Sequence, residues 1–104
     1  MLKDDQEIVD RYRRYHRDAW PEVIVRLREV GIVELRIYLV GRRLFMYMEA
    51  VDGFAPERDF QKLAEDPRYR EGDELMHGLQ QPAPEANAGE WWASMEAVFD
   101  LSRQ

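Results

Sequence analysis

Residues 34–51 read ELRIYLVGRRLFMYMEAV, and this stretch decides the fold. Apolar side chains occupy every second position on both sides of Gly41-Arg42; they are Leu35, Ile37, Leu39, Leu44, Met46 and Met48. A period of two is typical of strands that bury one face, and a glycine-containing pair between two such strands is typical of a tight turn. The stretch therefore predicts a β-hairpin with strands at 34–40 and 43–51.

The segment before the hairpin has a helical pattern. Its apolar residues recur every three or four positions; they are Ile8, Tyr12, Tyr15, Ala19, Val23, Leu27 and Val30. Pro21 interrupts this stripe, and proline suits the first turn of a helix but disrupts its interior. We therefore predict one helix from about Asp5 to Arg17 and a second from Pro21 to Val30, which Gly31 ends.

The segment after the hairpin predicts two further helices and one strand. Residues 56–65 and 67–79 have helical spacing, and Asp66 followed by a proline starts the second of these helices. Residues 92–101 contain enough aromatic and β-branched side chains to predict a last strand. An additional strand preceding the first helix would complete the β-α-β-β-α-β arrangement of the ferredoxin-like split βαβ fold. Residues 1–104 thus form one α+β domain.

The composition narrows the possible partners. The net charge is −6, whereas a nucleic-acid binder normally carries a basic face, and no apolar run is long enough to span a membrane. We expect neither nucleic acid nor a membrane as partner. The absence of cysteine excludes disulfides, thiolate zinc sites and a cysteine nucleophile. The first residues lack the apolar core of a signal peptide, so the expected location is the cytoplasm.

Two histidines are the main candidates for chemistry. His16 follows Tyr12 by one helical turn, which puts both side chains on one face, and histidine can give or take a proton near neutral pH. The alternative is an ordinary helix surface on which His16 only caps or pairs. His77 lies near a helix end and is predicted to be structural, because it favours the C-terminal end of the helix dipole. No ligand pair has metal spacing, so no metal site is expected.

Three tryptophans stand out in so short a chain: Trp20, Trp91 and Trp92. An aromatic face can stack on the apolar face of a sugar, and the indole N–H can donate to a hydroxyl. Such residues also anchor hydrophobic cores, and both interpretations remain open from the sequence.

Residues 12–22 read YRRYHRDAWPE and resemble the Y-x-x-x-H-x-x-x-W-P-E segment of the L-rhamnose mutarotase family. Further similar segments follow in order as far as residues 95–101, so that the resemblance covers nearly the whole chain. Gln80-Gln81-Pro82 and the GEWW stretch at residues 89–92 are more similar to the branch of the family associated with L-fucose.

This resemblance implies an isomerase with a dimeric α/β-barrel fold. Family members form homodimers and interconvert the α and β anomers of 6-deoxy-L-hexoses without a cofactor or metal. The family's acid/base histidine falls on His16, and its neighbouring substrate-contacting tyrosine falls on Tyr12. We expect His16 to donate a proton to the ring oxygen while Tyr12 relays or orients it. The expected substrate-binding residues are Trp20 and the pair Gly72 and Asp73, which aligns with a tryptophan pair of the family.

The chain also departs from the family. Gly72 replaces a stacking tryptophan, and Leu35 replaces a sugar-contacting tyrosine. Family chains open with an apolar strand, of which only Met1-Leu2-Lys3 is present, so we expect a sheet without that first strand and a last strand that is misplaced or borrowed by a partner. These departures favour an alternative function, a non-catalytic sugar-binding or dimerisation module. A small monooxygenase of the same barrel shape is a further alternative, and the sequence does not distinguish L-fucose from L-rhamnose.

Overall fold

The computed structural model describes residues 1–103, which form helices and one hairpin. The elements are α1 (Gln6–Arg17), α2 (Pro21–Glu29), β1 (Ile32–Val40), β2 (Arg43–Ala50), α3 (Pro56–Ala64), α4 (Pro67–Leu79) and a short 3-10 helix at Leu101–Arg103. The predicted hairpin and helices are confirmed, with bounds that differ by at most two residues. This is a small α+β fold, consistent with the ferredoxin-like arrangement.

The helix starts follow from local capping. The Asp5 side chain accepts a hydrogen bond from the backbone N–H of Glu7 at the start of α1. The Asp66 side chain accepts two, from Arg68 and Tyr69, at the start of α4. Proline occupies the first helical position of α2, α3 and α4. A backbone N–H at this position has no acceptor within the helix, so the N–H that proline lacks costs no hydrogen bond.

The hairpin has one face towards the helices and one towards solvent. Antiparallel pairing places Leu35 opposite Met48, Ile37 opposite Met46, and Leu39 opposite Leu44. Ile37, Leu39 and Leu44 pack against a buried cluster of Leu2, Val9, Tyr12 and Leu79. Large side chains are exposed on the other face, which we call the outer face of the hairpin and define by Tyr38, Val40, Phe45 and Tyr47.

The first residues connect the hairpin turn to the end of α4. Leu2 is fully buried, and its N–H donates to the Arg42 carbonyl at 2.8 Å. The N–H of Lys3 donates to the Leu79 carbonyl, and Leu2 forms a single antiparallel bridge with Gln80. The bridge at Leu2 is isolated, so residues 1–3 form no strand.

The predicted last strand is wrong. Among residues 1–103 the sheet contains only β1 and β2, and residues 92–100 have no regular secondary structure. Met95, Val98 and Phe99 are at least two-thirds exposed. A strand needs a neighbouring strand whose backbone groups are free to pair. In the ferredoxin-like arrangement that neighbour would be a strand before α1, and in this structure the residues before α1 contribute only the single bridge at Leu2. No helix among the described residues is long and apolar enough to cross a membrane.

Candidate active site

A groove runs between α1, the inner face of β1, and α4, and the loop at residues 89–92 borders one part of it. It consists of two adjoining cavities of about 420 and 680 Å³. Both cavities are lined by the same five residues, which are His16, Ile37, Tyr69, Asp73 and Met76. We call this the site groove. Cavities of this size accommodate small organic ligands.

The two parts of the site groove differ in chemistry. The smaller part adds Tyr15 and an apolar wall made of Ala19, Val23, Ile24, Leu27 and Leu35. The larger part adds polar and aromatic residues, which include Tyr12, His77, Gln80, Glu90 and Trp91. A ligand with one apolar end and several hydroxyl groups would match this division.

The hydrogen bonding of His16 defines which of its nitrogens can exchange a proton. Nδ1 lies 3.0 Å from the backbone oxygen of Tyr12, one turn earlier in α1. A carbonyl oxygen can only accept, so Nδ1 carries the hydrogen and Nε2 is the acceptor in the neutral ring. The side chain is accessible to solvent, but the protein atoms around it desolvate the ring and lower its pKa, an effect that the Tyr12 carbonyl partly offsets. His16 is therefore mainly neutral at pH 7.

Tyr12 lies beneath His16 and remains protonated. Its ring is buried, and the two ring centroids are 4.2 Å apart. Burial raises the pKa of Tyr12 to about 12, and the nearby Gln80 side chain offsets part of this rise. The hydroxyl does not reach hydrogen-bond geometry with Gln80 or with any other described residue. A buried hydroxyl without a partner is costly, which makes Tyr12 a ready donor or acceptor for a bound ligand.

Helix α4 supplies the opposite wall through residues spaced by four. Tyr69, Asp73 and His77 follow one another at this interval and all line the site groove. Nε2 of His77 lies 3.8 Å from Oδ1 of Asp73, and the imidazole stacks on Trp91 with centroids 4.4 Å apart and planes inclined by 10°. Burial raises the pKa of Tyr69, and the negative charge of Asp73 raises this pKa further.

The structure brings only some of the predicted site residues together. His16, Tyr12 and Asp73 share the larger cavity, whereas Trp20 and Gly72 line neither part of the site groove. A Cβ atom on Gly72 would lie 2.6 Å from Oη of Tyr15 and 3.5 Å from Cζ3 of Trp20. Trp20 in turn lies against Tyr15 and beneath the Arg68 guanidinium, 3.4 Å from the ring centroid. Gly72 and Trp20 therefore form a packing contact behind Tyr15.

Sequence reasoning missed Tyr69 and the groove position of His77. The signal that could have found them is the four-residue spacing of Tyr69, Asp73 and His77, which puts them on one face of α4. Glu49, another carboxylate of the hairpin, accepts a hydrogen bond from Tyr47 of the outer face and lines neither part of the site groove. Within residues 1–103, no cluster of three or more histidine or carboxylate side chains is arranged to hold a metal ion.

Comparison with known proteins identifies the class. The sequence model of the L-rhamnose mutarotase family matches residues 1–101. The protein is thus an isomerase that acts on carbohydrates. More particularly, the chain belongs to the L-rhamnose mutarotase family, as the resemblance of residues 12–22 predicted.

Two relatives match over most of their length. A UPF0734 protein of Dictyostelium discoideum is 43% identical over 104 residues, which cover 96% of this chain and 83% of that protein. An L-fucose mutarotase of Xanthomonas campestris pv. campestris is 36% identical over 103 residues, which cover 97% of this chain and 82% of that enzyme. Family membership supports a sugar mutarotase function for this chain.

Proposed function

We propose that this protein interconverts the α and β anomers of a 6-deoxy-L-hexose, with L-fucose as the first candidate. The observation that carries the proposal is a neutral His16 whose Nε2 is free to exchange a proton in a groove of suitable size. The similarity to an L-fucose mutarotase favours L-fucose over L-rhamnose.

The reaction needs two proton transfers. Ring opening removes the proton of the anomeric hydroxyl, breaks the bond between the anomeric carbon and the ring oxygen, and protonates that oxygen. Rotation of the free aldehyde and closure on its other face reverse these steps. A positioned acid or base contributes roughly 10²–10⁴-fold to such a transfer.

His16 takes the anomeric proton during opening and returns it during closure. This assignment modifies the expected role of donor to the ring oxygen, because the neutral ring with hydrogen on Nδ1 has an acceptor at Nε2. Tyr12, as a buried hydroxyl without a partner among the described residues, holds a sugar oxygen next to His16. The Asp73 carboxylate accepts hydrogen bonds from sugar hydroxyls on the other wall.

The smaller part of the site groove accounts for the 6-deoxy sugar. A 6-deoxy-L-hexose carries a methyl group where an ordinary hexose carries a hydroxymethyl group. The apolar wall, which includes Val23, Leu27 and Leu35, would bury this methyl group. An apolar pocket rejects an added hydroxyl by at most about 10²-fold, so L-galactose, the 6-hydroxylated analogue of L-fucose, should still react slowly.

Exchange NMR tests the proposal. Anomer exchange of L-fucose, L-rhamnose, L-galactose and D-glucose is measured with and without the protein, and the buffer rate is subtracted. We expect acceleration for L-fucose, less for L-galactose and none for D-glucose. Binding of L-fucose without accelerated exchange would support the non-catalytic module instead, which the two-stranded sheet favours.

We also propose that the protein forms a homodimer through the outer face of the hairpin and acts in the cytoplasm on free monosaccharides. The exposed Tyr38, Val40, Phe45 and Tyr47 lie next to one another on this face and form an apolar surface of the kind that interfaces bury.

A further inference from the structure

The two histidines of the chain line the same cavity from different helices. His16 projects from α1, and His77 from the last turn of α4. Mutarotation requires one group that accepts a proton and one that donates a proton at the same time, and His16 accounts for the acceptor only.

The surroundings of His77 are electronegative. The Asp73 carboxylate lies 3.8 Å from Nε2, and the carbonyl end of α4 attracts a positive charge. The face of Trp91, on which the ring stacks, also attracts a cation. His16 differs, because the protein atoms around its ring desolvate it and lower its pKa, and its Nδ1 bonds a neutral carbonyl rather than a carboxylate.

The other ionisable groups of the cavity are poorer donors. Tyr12 on α1 has a pKa of about 12, and burial also raises the pKa of Tyr15 and of Tyr69 on α4. Asp73 on α4 and Glu90 in the loop complete the set that faces the two histidines. An imidazolium gives up a proton near neutral pH several units more readily than such tyrosines do.

We propose that His77 is the second proton-transfer residue of the mutarotase, the acid that protonates the ring oxygen while His16 deprotonates the anomeric hydroxyl. The proton on His77 passes to the ring oxygen as its bond to the anomeric carbon breaks, and the anomeric proton passes to Nε2 of His16. Closure moves both protons back, so the enzyme is regenerated without a co-reactant. This inference rests on the function proposed above.

The test compares two replacements of His77 that cannot carry a proton. His77→Gln retains a polar side chain, and His77→Phe retains a ring that can stack on Trp91. Glu74→Gln is the matched control, because it changes a charge on the same helix at a residue outside the site groove. The rate of L-fucose exchange is measured by NMR from pH 5 to 9, and thermal melting verifies folding.

We expect a bell-shaped pH profile of kcat for the parent protein and the control. Both His77 variants should lose about 10²-fold in kcat and the alkaline limb of the profile, with KM little changed. A parental kcat and profile in either folded variant would overturn the role of His77. A rise in KM with an unchanged alkaline limb would also overturn it, because that result indicates packing. If the parent protein does not accelerate exchange, the proposed mutarotase function is wrong, and the role of His77 that depends on it is wrong as well.

Discussion

At the scale of single residues, one backbone contact defines the chemistry of His16. The bond between Nδ1 and the Tyr12 carbonyl orients the ring and fixes its tautomer, and partial desolvation keeps it neutral. His16 follows Tyr12 by four residues, and helical geometry brings a side chain at this spacing within reach of the Tyr12 carbonyl. The pairing of Tyr12 with His16 was therefore predictable from sequence, whereas the desolvation depends on packing and was not.

We expect His16→Ala to abolish catalysed exchange of L-fucose while the protein stays folded. The ring contacts of His16 are with Tyr12 and Tyr15 of its own helix, so thermal melting should change little. Arg17→Ala is the control, because Arg17 is exposed and pairs with the adjacent Asp18. Exchange NMR and circular dichroism are the measurements. A parental exchange rate in His16→Ala would remove His16 from the mechanism.

At the scale of elements, local sequence patterns predicted those helices and strands whose formation depends on residues close in sequence. Helices and the hairpin follow from periodicity, caps and the turn at Gly41, and all were predicted correctly. The strand at 92–101 was not, because a strand depends on a distant partner. His77 was predicted to be structural from its position near a helix end; its stacking on Trp91 and its place in the larger cavity are tertiary features that the sequence does not show.

The packing of α4 on Tyr15 requires Gly72. An alanine would add about 1 kcal/mol of helix propensity, but its Cβ would lie 2.6 Å from Oη of Tyr15 and force that ring to move. Displacing a packed ring costs about 1–3 kcal/mol, so we expect Gly72→Ala to lower the free energy of unfolding by about 1 kcal/mol. The measurement is urea denaturation. The Tyr15→Phe background lacks Oη, the atom that the new Cβ would meet. In that background, Gly72→Ala should lower the free energy of unfolding much less than it does in the parent.

The same contact decides the effect of Gly72→Trp. A tryptophan at this position would restore the residue that the family resemblance implies, but the space is filled by Tyr15 and Trp20. We expect weaker folding and no gain in L-fucose affinity, unless the ring of Tyr15 is also removed.

Asp59 makes the stability of α3 depend on pH. Its buried carboxylate accepts hydrogen bonds from the Arg58 guanidinium and from the N–H of Ala55 at the start of the helix. The Arg58 bond, followed by the Ala55 bond, lowers its pKa from 3.8 to about 2. A depressed folded pKa means that this stabilisation is present above pH 3.8 and is lost as the pH falls towards 2.

We therefore expect Asp59→Asn to melt at a lower temperature than the parent at pH 7. Between pH 4 and 2 the parent should lose melting temperature more steeply than the variant, so that the two curves converge. Asp52→Asn is the matched control, because Asp52 is an exposed aspartate of the preceding loop. Parallel melting curves of parent and Asp59→Asn over this range would contradict the assignment.

At the scale of the whole molecule, the hairpin is a two-stranded sheet that the helices cover on one face. An isolated two-stranded sheet is marginal, and packing on the helices stabilises the inner face while the outer face stays exposed. On the outer face, Tyr38 pairs directly with Phe45, and Val40 and Tyr47 flank them. A second copy that packs on this face would bury these side chains and complete a layered domain.

We expect the parent protein to sediment with twice the 12.4 kDa mass of one chain. Phe45→Glu should shift it to the monomer, because the interface would have to desolvate a carboxylate in place of an aromatic ring. Val25→Glu is the matched control, because Val25 is 52% exposed on α2 and is not part of the outer face of the hairpin. Sedimentation velocity at micromolar concentrations is the measurement. A monomeric parent, or loss of the dimer in Val25→Glu alone, would show that the outer face is not the interface. Since the site groove lies on the opposite face of the hairpin, monomeric Phe45→Glu should keep His16 and His77 in place.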